Sequence, residues 1–140
     1  MQFTSSLLLA TTAALSVSAY PAKSMMAASA SEWTIESFTR TCNSDNTTCD
    51  ISFTIDTGSK TPCSYSVNGS PATQQSYSGQ VCGAYTISSG WSDQFGVDHA
   101  FTTLSVTDQT NIIYPAYTDQ QLVNGVAVSP DQSYAPQALP

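Results

Sequence analysis

Between residues 49 and 56 apolar and polar side chains alternate strictly: Cys49, Ile51, Phe53 and Ile55 are separated by Asp50, Ser52, Thr54 and Asp56. A period of two gathers one set of side chains on one face of an extended strand, whereas a helix needs apolar positions three and four apart. The same period returns at Cys63, Tyr65 and Val67, at Tyr85, Ile87 and Trp91 with Gly90 interrupting, and at Leu104 and Val106 after Phe101. Trp33 and Ile35 keep it until the phase shifts at Phe38, which predicts a β-bulge. Thr57-Gly58 and Asn68-Gly69 end two of these runs. Asn124-Gly125, between Val123 and Val126, predicts a two-residue hairpin because both residues tolerate positive φ. The apolar run from Asn111 to Tyr117 is cut by Pro115, which cannot donate to a ladder and so belongs at a sheet edge or a strand end. Six to eight short strands with almost no helical spacing predict an all-β fold, a compact antiparallel β-barrel or β-sandwich.

The pattern also divides the chain. Residues 1–19 hold an apolar stretch ending in Val17-Ser18-Ala19, the small residues that a signal peptidase cuts after. It is too short and too rich in Ser and Thr to cross a hydrocarbon layer about 30 Å thick, so no membrane span is expected. Residues 20–31, with Ala, Ser and two Met in no period, read as a flexible leader, 32–128 as the β domain, and 129–140 as an extended tail. Pro130, Pro136 and Pro140 argue against a regular ladder in that tail, and leave open whether it docks through Tyr134 and Leu139.

Export puts the four cysteines in an oxidising compartment, where two disulfides are expected. Cys42, Cys49, Cys63 and Cys82 allow three pairings, among which sequence alone does not choose. Cys42 with Cys49 and Cys63 with Cys82 is favoured, since the first pair brackets the turn-forming run from Asn43 to Thr48 and would tie two arms of a hairpin. Loop entropy gives the two closures about 2.5 and about 3.3 kcal/mol. The spacing lacks C-x2-C and the one histidine, His99, stands far from the cysteines, so neither a metal nor another cofactor is expected. Asn46-Thr47-Thr48 and Asn68-Gly69-Ser70 are glycosylation sequons, the second weakened by Pro71.

Composition narrows the function classes. Of 140 residues 22 are Ser and 18 Thr, charged residues make up only 9%, and the net charge is −7. With Lys and Arg together numbering three, the clustered cations that bind phosphates are missing, so nucleic acid is not an expected partner. The segment from Trp91 to Phe101 holds the candidate chemistry. His99 follows Asp98, but neighbours on a strand point to opposite faces, and no Gly-x-Ser-x-Gly elbow supplies a nucleophile. Asp93 and Asp98 are the best carboxylate pair for glycoside cleavage, with Trp91, Phe95 and Phe101 to stack on a sugar. Turn chemistry at Ser92-Asp93 and core packing of the aromatics explain the same residues without catalysis. Tyr77, Tyr114, Tyr117 and Tyr134, in turns, a Pro-broken run and the tail, are candidate exposed contacts, because Tyr offers rigid area with a polar tip, though each taken alone is more often a packing residue.

Several segments together carry a resemblance: Trp33-Thr34-Ile35-Glu36-Ser37-Phe38 with Arg40, the Cys42 and Cys49 pair, Gly90 to Gly96, Phe101 to Val106, Tyr114 to Asp119, and Ser129 to Tyr134. From about residue 33 to its end the chain resembles a group of fungal small secreted proteins of about 140 residues, which includes elicitors of the hypersensitive response in plants. The resemblance implies an antiparallel β-barrel with two disulfides, export to the space around the hypha, and perception by a host plant. It carries over no functional residue. The expectation is a secreted, extracellular or wall-associated effector-like protein that acts by binding and not as an enzyme, with a plant receptor or a cell-wall polysaccharide as partner. A carbohydrate-binding surface module is the alternative, and a small glycoside hydrolase the third reading.

Overall fold

The structure is a computed structural model and describes residues 31–140, so the export signal and all of the leader but Ser31 lie outside the described residues. Its first three strands are consecutive antiparallel neighbours: β1 (Trp33–Cys42), β2 (Thr48–Asp56) and β3 (Lys60–Asn68). Alternation does here what the sequence predicts. Cys49, Ile51, Phe53 and Ile55 of β2 are all buried, and Cys63, Tyr65 and Val67 of β3 face the same side. The register of β1 on β2 slips between Glu36 and Thr39, with Ser37 at φ 54°, which places the expected bulge just before Phe38. The bulge re-phases the strand, so Phe38 and Arg40 continue the inward side that Trp33 and Ile35 began.

A second sheet follows from β4 (Tyr77–Cys82), β5 (Tyr85–Ser92), β6 (Phe101–Thr107), β7 (Asn111–Ile113) and β8 (Ala116–Thr118). Pro115 divides the apolar run into the last two strands, and both pair with the same edge of β6. Across the break the amide of Leu104 donates to the Pro115 carbonyl at 2.7 Å, so the chain stays attached where the ladder is interrupted. The tail supplies two further short strands, β9 (Gln132–Tyr134) on β1 and β10 (Gln137–Ala138) on β7. The result is an open sandwich of a four-stranded sheet, β3-β2-β1-β9, and a six-stranded sheet running β10-β7-β6-β5-β4 with β8 beside β6. Among the described residues ten strands replace the six to eight expected, because β4 and the two tail strands show no period and Pro115 splits one apolar run in two.

Inward side chains of both sheets make one core, and aromatic pairs join its layers. Phe38 stacks on Tyr117 with ring centroids 4.2 Å apart, Tyr65 meets Tyr77 at 4.8 Å, and Trp33 packs edge-on against Tyr85 at 5.5 Å. Each such contact adds about 0.5–1.5 kcal/mol to the burial itself. Disulfides join Cys42 to Cys49 across the β1–β2 turn and Cys63 to Cys82 between the edge strands of the two sheets.

The Asn124-Gly125 turn forms, with Gly125 at φ 76°, but its arms are not strands. Its polar groups serve β1 instead. The Asn124 side-chain carbonyl accepts the Cys42 amide at 2.6 Å, and the amides of Gly125 and Val128 donate to the carbonyls of Arg40 and Phe38. Asp131 Oδ1 takes the amide of the bulged Ser37 at 2.9 Å, and β9 covers Trp33 to Ile35. A continuous strap from 124 to 134 thus satisfies a sheet edge that would otherwise present unpaired backbone.

Candidate functional site

The segment with the expected chemistry is the connection between β5 and β6. It is organised by its own backbone: Gly96 donates to the Asp93 carbonyl, His99 to that of Gly96, and a short 3-10 turn spans Val97–His99. Asp93, Asp98 and His99 all lie exposed, and no hydrogen bond or ion pair joins Asp98 to His99 among the described residues. Asp98 therefore does not hold the His99 imidazole in the way a triad requires. Neither Asp93 nor Asp98 lines the hollows bordered by Phe38, Phe53, Tyr114 or Tyr77.

The aromatic candidates separate by burial. Tyr117 is 1% exposed and belongs to the core, while Tyr77 and Tyr134 are half-buried against it. Tyr114 alone of the four is open, at 53%. Trp91 is half-buried, but Phe95 is 68% exposed and stacks on Phe101 at 6.1 Å. Packing, the commoner role for each of these tyrosines, is the one taken by Tyr77, Tyr117 and Tyr134, because the inward phase of their strands carries the rings between the sheets.

The sequons differ in the same way. Asn46 sits at φ 54°, its amide nitrogen donating to Thr73 Oγ1 at 3.0 Å while its carbonyl accepts the Thr73 amide at 3.2 Å. Asn68 is exposed, and its carbonyl accepts the Thr48 hydroxyl at 2.9 Å. Asn46 is part of the local fold, and Asn68 presents its amide outward.

One polar cluster escapes the sequence reading. Arg40 projects inward after the bulge, its side chain only 12% exposed, and lies 3.6 Å from Asp119 Oδ1, which has no hydrogen-bond partner among the described residues. Asp119 Oδ2 accepts the Trp91 indole N–H at 2.9 Å, and the Asp119 amide donates to Ala100. The three side chains tie β1 to β5 and to the end of β8. The available signal was the alternation Phe38, Arg40, Cys42, which aims a cation at the core and so requires a carboxylate partner. Beside this cluster, Phe38, Arg40, Tyr65 and Leu122 help to line a cavity of about 20 Å3, enough for one water and far below the size of an organic-ligand site.

In the described molecule Asp98 and His99 are not joined, and the polar cluster that does form ties β1 to β5 and to the end of β8. Comparison with known proteins places the chain: the family model described as Effector TSP1 matches residues 34–139. Effector TSP1 of Hypocrea virens (strain Gv29-8 / FGSC 10586) is 47% identical over 148 aligned positions that cover the whole of both chains. Arg40, Trp91 and Asp119, together with all four cysteines, fall inside the matched region, and the chain belongs to the Effector TSP1 family of fungal effectors.

Proposed function

We propose that the protein is a secreted fungal effector that acts outside the cell by binding, and that plants perceive it as an elicitor of defence. Membership of an effector family over its full length carries this reading. Two disulfides suit an oxidising extracellular space, and they brace a domain whose surface is built from hydroxyls rather than ions. The exposed and mutually unconnected Asp93, Asp98 and His99 support binding over catalysis. The partner is a host receptor or a wall polysaccharide. Infiltration of the purified protein into leaves at micromolar dose tests the elicitor role. An oxidative burst and local cell death are expected, and a leaf that shows neither removes that role while leaving the fold untouched.

A further inference from the structure

The inner faces of both sheets are consumed by the core, and the outer face of the six-stranded sheet is not. Ile87, Leu104 and Val106 point inward, so Ser88, Thr103 and Ser105 share the outward side, with Ser88 opposite Ser105 and Gly90 opposite Thr103. No strand of this sheet contains Asp, Glu, Lys, Arg or His, whereas Glu36, Arg40, Asp50, Asp56 and Lys60 all lie on strands of the other. In a chain of net charge −7 this face is a neutral plane. Tyr114 stands at its β7–β8 border, fixed between two strands that both pair with β6, and the Phe95 and Phe101 stack lies where β6 begins.

The plane is shaped and its polar groups are unused. Tyr114, Ser88, Thr103 and Ser105 border an open hollow of about 220 Å3, which shares Ser88 and Ser89 with a second of about 390 Å3 extending to Ser76 and Ser78. Thr107 and Thr86 are engaged by the Asn111 carbonyl and the Gln109 side chain. Among the described residues, the hydroxyls of Ser78, Ser88, Thr103, Ser105 and Tyr114 have no such partner. Each hydroxyl is both donor and acceptor. Covering them with an apolar protein surface would strand them at about 1–3 kcal/mol apiece. A polyanion would find no cation on the strands beneath it. A sugar chain satisfies both conditions, exchanging hydroxyl for hydroxyl and laying the C–H face of a ring on an aromatic.

We infer that this face binds a neutral polysaccharide chain, with one sugar ring on Tyr114 and its neighbours across the hydroxyls of β5 and β6. The assignment rests on the binding reading above and names its ligand class. Retention of the purified chain on particles of β-1,3-glucan, cellulose and chitin tests it, with soluble polygalacturonate as the charged control. Retention is expected on at least one neutral polymer and not on polygalacturonate. It should fall about tenfold in Tyr114→Ala, the loss of one aromatic contact. It should fall as far in Gly90→Arg, where a new Cβ meets nothing within 4 Å, so the arginine covers the plane without disturbing the core. Ser64→Ala, on the outer side of β3, should change nothing. No retention on any of the three, or retention that survives both face variants, overturns the assignment. So does self-association that Gly90→Arg abolishes, which would give the face to a second copy of the chain. A protein that triggers leaves but ignores glycans sinks this inference alone, and one that holds glycans but leaves tissue silent sinks only the elicitor role.

Discussion

At position 117 the core holds a tyrosine hydroxyl with no hydrogen-bond partner among the described residues, although its ring is stacked on Phe38. The two halves of the side chain therefore act in opposite directions. Tyr117→Ala should lose about 3–5 kcal/mol in denaturant unfolding, while Tyr117→Phe should equal or exceed the wild type by about 1 kcal/mol. A phenylalanine variant as weak as the alanine one would mean that the hydroxyl is bonded after all. Burial also pushes the ionisation of Tyr117, Tyr65 and Tyr134 above the ordinary phenol value of 10.0. The unfolded chain then releases these protons first, so their contribution is intact below about pH 10 and is lost as pH rises beyond it. Thermal melts between about pH 9 and 11 should show falling stability, less steeply in Tyr117→Phe; an equally steep fall would remove Tyr117 as a source. Side-chain roles of this kind were only partly readable in the sequence. Alternation assigns a face, so it aimed Arg40 inward, but it names no partner, and Asp119 lies in a different sheet's border.

The long strands β1, β2, β3, β5 and β6 were the legible elements, because their buried faces carry a visible period of two, whereas β4, with a single buried residue at its end, shows none. The bulge before Phe38 and the break at Pro115 were legible for a related reason, since each interrupts a visible period. The last seventeen residues were not. Asn124-Gly125 has the chemistry of a hairpin, yet its groups are taken by β1, some 82 residues earlier in the chain at the Cys42 contact. Local preference cannot outbid a sheet edge that needs donors and acceptors. Truncation after Val128 should test the strap: it removes β9, β10 and the Asp131 contact with Ser37. Loss of about 2–3 kcal/mol is expected, with concentration-dependent association through the bared edge of β1 in sedimentation. A truncated chain as stable and as monomeric as the full one would reduce the strap to decoration.

For the whole molecule, charge and chemistry are divided between two outer faces, one bearing the strand carboxylates and the other, with no charged residue on its strands, carrying hydroxyls, Gly90 and aromatics beside the apolar Val81 and Ile112. This division was invisible in the overall composition, which averages both faces, and it appears once register shows which residues stand side by side. The segment that looked most like a reaction centre is a loop shaped by backbone bonds, and beside it lies the outer face of the six-stranded sheet, the surface we propose for a partner. On the proposed reading activity comes from contact, and Asp93, Asp98 and His99 are expected to be dispensable. The most direct test is to infiltrate leaves with equal doses of the wild type and of a folded variant carrying Asp93→Asn, Asp98→Asn and His99→Ala. Equal defence responses are the predicted result; a wild-type response that vanishes in the variant would contradict binding as the mode of action.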